Sequence, residues 1–391
     1  MPNKEAAIRR VMITAAGTVT AQSLIKALRD DGRAGFIAGG DMTPLNATRP
    51  FVDAFVALPP ADDPEFAQCC VDAARRLRID LFVPLIVERE FLPLDAARER
   101  FESLGCRLAV PPRAIFSRTG DKLEFARFLE EIGVPGPETR PYSPNLRVDR
   151  FPVYLKPRHG SGSVGTARVE SEHSLHESAR GRDDLIVQEA VEGSEFTVDC
   201  FAAAPGRVVA AVPRERIAIK AGVSVKGRTY RHPRIEQIVA GVVEKSGLQG
   251  PANVQGMLRA DGSFSIFEMN PRFSGTLALT TAAGINFASL LIDSMEGRTL
   301  PDLRGRHEDG LLMLRYWSEV FEDRDGATRL GTPLDGARSA GLSRSHAAQP
   351  LDGEDRGLSP KLPSEGGAHE GMIEPLGAAV AEQSVERGDS R

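Results

Sequence analysis

The chain opens on short apolar runs that alternate with stretches of helical period. Val11-Met12-Ile13-Thr14-Ala15 is apolar and partly β-branched, ends in Ala16-Gly17-Thr18, and is followed by helix-spaced apolar positions over residues 20–29. Ala34-Gly35-Phe36-Ile37-Ala38 reads as a second strand, broken by Gly39-Gly40-Asp41, and Ala54-Phe55-Val56-Ala57-Leu58 as a third. A helix is expected over 64–77, with Pro64 near its first turn, and a fourth strand at Leu81-Phe82-Val83-Pro84-Leu85. Strands alternating with helices of this length predict a parallel α/β sheet. Val110-Pro111-Pro112 is a natural boundary, so a first domain is expected over residues 1–110.

The texture then changes. Strands are expected at 186–188, 195–201, 208–212, 254–258 and 264–268, with Asp261-Gly262 as a hairpin turn between the last two. Helices are expected at 122–132, 234–246 and 287–295, which makes residues 111–321 a mixed α+β region. From 322 to 391 the chain is rich in Gly, Ser, Pro, Asp, Glu and Arg, and aromatic residues are nearly absent. Such a segment buries too little apolar area to offset its ordering entropy, so a disordered tail is expected, with a weak helix only over 372–385.

Composition narrows the classes. With 41% hydrophobic and 26% charged residues, the 391-residue chain has ample core material for two or three domains. The net charge of -5 argues against a nucleic-acid partner. Cys69, Cys70, Cys106 and Cys200 form no CxxC pair, which argues against a zinc site. The polar start lacks the apolar core of a signal peptide, and no run approaches a membrane span, so a cytoplasmic protein without membrane contact is expected.

Three stretches concentrate chemistry. Tyr154-Leu155-Lys156-Pro157-Arg158-His159-Gly160-Ser161-Gly162-Ser163-Val164-Gly165-Thr166 joins a strand-borne lysine to a glycine- and serine-rich loop. Glycines let backbone N–H groups approach phosphate oxygens, and lysine adds a point charge. No Gly-Lys-Ser/Thr closes the loop, so it is not a Walker A loop, and a solvent loop between two strands fits as well. Ile186-Val187-Gln188-Glu189-Ala190-Val191-Glu192-Gly193-Ser194-Glu195 carries carboxylates around a turn. They suit ribose hydroxyls, although an exposed acidic hairpin is the simpler reading. Gln255 and Glu268 lie on the two strands of the expected hairpin, and Asn270 shares a face with Glu268. Three oxygen donors converging there suit octahedral Mg²⁺, and Arg272, just beyond Pro271, is placed to hold a transferring phosphoryl oxygen.

In this order the three stretches resemble the ATP-grasp superfamily, in the branch of the carbamoyl phosphate synthetase large subunit and the pyrrolysine-pathway ligase. Asn253-Val254-Gln255 and Phe267-Glu268-Met269-Asn270-Pro271-Arg272, with Ala282-Ala283-Gly284 downstream, are the specific part. The likeness spans about residues 9–295. It implies a Rossmann-like pre-ATP-grasp domain over 1–110 and an ATP-grasp fold over 111–321, with central and C-terminal subdomains. It further implies ATP with Mg²⁺, or Mn²⁺ in its place, and a small carboxylate and an amine as substrates, joined through an acyl phosphate. By the same likeness Lys122 and Lys156 are the nucleotide cations, and Ser161, Gly162, Ser163, Gly165 and Thr166 are the loop over the phosphates. Glu189 and Val191 are the adenine hinge, and Glu195 is the ribose contact. Gln255, Glu268 and Asn270 are the metal ligands, and Arg272 is the acyl-phosphate stabiliser. The comparable family segment makes Arg214 and Lys220 ligands near the transferred phosphoryl group, against the alternative of a solvated charge run.

Other positions stay open. His159 reads as a loop histidine beside the phosphates. Gly17-Thr18 opens like a dinucleotide turn, but Val19 and Gln22 break the motif and disfavour NAD. Asp41 and Glu88, at strand ends, are either substrate contacts or turn residues. A carbamoyl-phosphate-type synthetase is the second enzymatic reading, weakened by the single grasp unit. A non-catalytic ATP-binding module is the third. A homodimer is one expectation for the assembly.

Overall fold

The computed structural model describes residues 7–160, 162–220, 222–324 and 328–331. The first part is a five-stranded parallel sheet in the order β3-β2-β1-β4-β5. Its strands are β1 (Arg10–Ile13), β2 (Phe36–Asp41), β3 (Ala54–Ala57), β4 (Leu81–Val83) and β5 (Arg107–Leu108). Helices α1 (Val19–Asp31), α2 (Phe66–Leu77), α3 (Val87–Ala96) and α4 (Arg98–Ser103) connect them. Val11 and Ile13 face one apolar cluster and Met12 the other, as the period of a strand covered on both faces requires. The strand order reverses at β1, so its carboxyl end opens a crevice. Buried Glu90 fixes that crevice by accepting from the Thr14 hydroxyl at 2.7 Å and from the Leu85 and Ile86 N–H groups. Asp41 accepts from the Gly17 N–H, which is the turn role among the two considered for it.

Helices α5 (Arg113–Gly120) and α6 (Lys122–Glu131) lead into a four-stranded antiparallel sheet of order β6-β9-β7-β8. It is built from β6 (Thr139–Pro141), β7 (Val153–Pro157), β8 (Ala167–Val169) and β9 (Leu185–Glu189), with α7 (Glu172–Ala179) between the last two. A third, six-stranded antiparallel sheet has the order β14-β13-β10-β11-β12-β15. Its strands are β10 (Ser194–Ala204), β11 (Arg207–Lys220), β12 (Val223–Thr229), β13 (Gly250–Leu258), β14 (Phe264–Asn270) and β15 (Leu312–Leu314), with α8 (Pro233–Ser246), α9 (Leu277–Ala282) and α10 (Phe287–Met295) in the connections. The β13–β14 turn is longer than the expected two residues. Arg259 and Ser263 close it by a 2.9 Å backbone bond, and Gly262 sits at φ +79°.

The two faces of the third sheet differ. Phe196, Val198 and Cys200 of β10, with Val254, Ile266 and Met269, turn to α8 and α6 and form a closed apolar core. Burial of each such large side chain stabilises by about 1.5–3 kcal/mol. The alternate positions Glu195, Thr197 and Asp199 fall on the other face, where Arg214 and Gln255 lie opposite Thr197 in register and Asn253 opposite Asp199. Where a tail is expected to begin, β16 (Val320–Glu322) pairs with β17 (Thr328–Leu330) as a small hairpin. The weak helix expected over 372–385 lies outside the described residues.

Candidate active site

The polar face of the third sheet carries the expected donors side by side. Gln255 is paired directly with Glu268 across the β13–β14 ladder, and Asn253 with Asn270. The Asn270 amide donates to the Glu268 carboxylate at 2.9 Å, so these two side chains meet, and Gln255 lies opposite Glu268 in register. A bulge after Gln255 re-aims the strand at that point.

Facing this edge are two ammonium groups. Lys156 lies 5.5 Å from the centre of the Phe267 ring and donates to the Gln188 side-chain carbonyl at 2.7 Å. Gln188 is held in turn by Thr139. Lys122, at the first position of α6, donates to the Gly160 carbonyl at 2.8 Å. Asp121 caps that helix and takes both arms of Arg158, which fastens α6 to the end of β7. Among the described residues neither lysine has a carboxylate in contact; their hydrogen-bond acceptors there are neutral carbonyls. Burial pushes the Lys156 ammonium down to about 8, with Glu268 opposing and Lys122 adding to the fall. Burial also lowers Lys122, against Glu268 and Glu88. Arg272 is lowered by burial too, and its guanidinium donates to the Phe273 carbonyl. A partly desolvated cation without an ionic partner is electrostatically incomplete, and an anion completes it.

The glycine loop bends over this edge. Gly160, Gly162 and Gly165 have φ between +69° and +105°, and Ser163 joins them at +60°. Thr166 donates to the Ser163 carbonyl and closes a turn, with Gly162, Ser163 and Gly165 exposed. Ser161 lies outside the described residues. Glu189 ends β9 in an ion pair with Arg259 at 2.9 Å, and half-buried Val191 lies in the link to β10. Glu195 is half-buried on the polar face, and burial raises its carboxyl.

Residues 11–109 match the family model "PylC-like, N-terminal domain", and residues 181–314 match "ATP-grasp in the biosynthetic pathway with Ter operon". The chain has the ATP-grasp fold. It is 26% identical over 210 residues to a D-alanine–D-alanine ligase of Ectopseudomonas mendocina, covering 46% of this chain and 66% of that one. It is 25% identical over 277 residues to a carbamoyl-phosphate synthase of Methanobrevibacter smithii, covering 66% and 73%. The fold matches the crystal structure of an L-amino acid ligase from Bacillus licheniformis with a TM-score of 0.58 at 17% identity, covering 74% of this chain and 75% of that one. The chain thus spans about two thirds of the ligase it matches in sequence.

Two expected ligands make other contacts. Arg214 is 2% exposed, and its guanidinium is committed to Asp199, Ser274 and Thr276. This corrects the expectation of a substrate ligand: every direction of the fork except Nε ends in a buried acceptor. Lys220 ends β11 exposed, with its ammonium 5.4 Å from the Trp317 ring. Two residues that sequence reasoning passed over do stand at the site. Gln188 carries Lys156, and Arg216 contacts Gln255 at 3.1 Å. The signal for Arg216 was the Arg-Glu-Arg spacing on one strand, which puts both arginines on one face. Among the described residues no helix is long and apolar enough to cross a membrane.

Proposed function

We propose that this chain is an ATP- and Mg²⁺-dependent carboxylate–amine ligase, with a pre-ATP-grasp domain over residues 1–110 and the grasp unit over 111–321. One observation carries the reading. Lys122 and Lys156, both desolvated and, among the described residues, both without an ion pair, face a hairpin edge that bears Gln255, Glu268 and Asn270. The D-alanine–D-alanine ligase and the L-amino acid ligase, by their names, support an amino-acid-joining reaction.

The donor set fits a hard cation. All three side chains present oxygen, and hard divalent cations of the Mg²⁺ kind take oxygen ligands. Lys122, Lys156, Arg216 and Arg272 outnumber Glu88, Glu195 and Glu268 around the donor set by four to three. A bare cation is repelled by such a cleft, whereas a nucleotide that carries its own metal is attracted. When bound, the metal neutralises charge on the phosphates. The residues of this chain do the rest. Lys122 and Lys156 hold phosphate oxygens, Glu195 takes ribose hydroxyls, and Glu189 with Val191 meets the adenine edge. Arg272, partly buried at the end of β14, offers a charged fork to the transferring phosphoryl group. Gly162, Ser163, Gly165 and Thr166 cover the phosphates and keep water from the acyl phosphate. The homodimer expectation carries over as part of this proposal.

The test is a screen of amino acids in pairs, read by ADP and phosphate release. Release that needs both an acid and an amine is the expected result. Release with bicarbonate alone would replace the reading with a carbamoyl-phosphate-type synthetase. Nucleotide binding with no ADP formed across the panel would leave a binding module.

A further inference from the structure

Arg216 touches more of the cleft than any residue assigned to it so far. One terminal nitrogen donates to the Gln255 side-chain carbonyl at 3.1 Å and lies 3.5 Å from the Thr197 hydroxyl. The other donates to the backbone carbonyl of Gly222 at 3.0 Å. Its Nε lies 3.1 Å from a Glu195 carboxylate oxygen, but without the alignment of a hydrogen bond. The side chain is 12% exposed. Gly222 has φ +75°, and a Cβ built there would lie 3.6 Å from the Cα of Gly162 and 3.7 Å from its carbonyl oxygen. The glycine loop therefore rests on the β11–β12 turn, and Arg216 fixes that turn from beneath.

We infer that Arg216 is a positioning residue: one guanidinium ties the Gln255 and Glu195 side chains to the turn on which the glycine loop is seated. The inference rests on the nucleotide reading of the cleft given above. The chemistry calls for arginine. A planar fork has donors in fixed, divergent directions, so a shift of Gln255 or Glu195 is passed to the Gly222 carbonyl. A lysine supplies the charge at one point and bridges less. Binding at the Glu195–Gln255 edge and ordering of the loop at Gly162 are thus coupled through one side chain.

The experiment compares the full chain with Arg216→Lys and Arg216→Met by amide hydrogen exchange and by calorimetry with ADP, with and without magnesium. Wild-type chain is expected to gain protection over residues 162–166 when magnesium and ADP are added. Arg216→Lys is expected to bind ADP more weakly and, with ADP and magnesium at saturation, to lose most of the loop protection. Its amides at 222–224 exchange faster even in the free protein. A structural role alone would lower the melting temperature and leave ADP-dependent protection intact, and that result overturns the inference. If Arg216→Met does not fold, Arg216→Lys decides the matter. A wild-type chain that binds no ADP sinks the nucleotide reading itself. Wild-type binding with identical protection in both variants sinks only the role of Arg216.

Discussion

Arg214 and Arg216 stand two residues apart on β11 and point from the same face of the same sheet, yet they live in opposite environments. Arg214 is sealed. Asp199 pairs with it, Ser274 and Thr276 accept from it, and Thr280 and Ser274 donate to the same Asp199. The network pins residues 274–280 immediately behind Arg272. Arg216 is open toward the cleft, with one acceptor on a candidate metal ligand, one on a turn and one donor unaligned. Each keeps one Nε–H without an aligned acceptor among the described residues, so the difference lies in burial and partners: a charge sealed against a buried carboxylate specifies a scaffold, and one that meets a candidate ligand is placed to act in the site. The comparison separates the residues that shape the site from those that act in it.

The comparison is sharpest at the two carboxylates. Glu268→Ala should cost about a thousandfold or more in turnover, because it removes both a metal oxygen and the partner of Asn270. The melting temperature should stay within a few degrees, since Glu268 is only half-buried. Phosphate release beside a thermal scan reads both, and turnover at the wild-type rate ends the metal assignment. Asp199→Ala makes the opposite trade. It leaves the Arg214 charge buried and unpaired, which costs about 3–5 kcal/mol of stability. Chemical denaturation should show that loss, and an unchanged midpoint would mean the network is not a scaffold. Residual ADP affinity of whatever folds should remain close to that of the wild type.

The same contrast explains what the sequence made legible. Periodicity exposes β1, α1 and the β13–β14 hairpin because their apolar positions answer to the cores at the fixed period of a strand or a helix. The pairing of Gln255 with Glu268 was readable because the hairpin fixes register over a few residues. Arg214 and Arg216 were not separable. Both are basic, both face one way, and only the distant partners Asp199, Ser274 and Gln255 decide which is sealed. Those partners arrive from β10, β13 and the loop after β14, and no local pattern records that meeting. Gln188 escaped for the same reason, since its role comes from Lys156 on a neighbouring strand and Thr139 on another. Element ends also shifted, β2 beginning at Phe36 rather than at residue 34.

The smallest expected effect concerns pH, and it divides the two regions once more. Lys156 has its pKa pushed down to about 8 by burial, within a setting of Glu268, Lys122 and Glu195. An unfolded lysine titrates near 10.4, so between about pH 8 and 10 the unfolded chain holds more protons and folding stability rises with pH. Nucleotide binding runs the other way. Phosphate favours the ammonium, so above about pH 8 binding takes up a proton and affinity falls, by up to about tenfold per pH unit. ADP is already fully ionised there, which leaves the protein as the titrating partner. Calorimetry from pH 7.5 to 9.5, in two buffers of different ionisation enthalpy, should show proton uptake and a rising Kd. Lys156→Ala should weaken ADP at pH 7.5 by about ten- to a hundredfold, the worth of a charged hydrogen bond, and should remove the slope. Arg214 contributes nothing to that slope, because a guanidinium stays protonated throughout the range. A profile that keeps its slope in Lys156→Ala would move the titrating group elsewhere and take the nucleotide contact from Lys156.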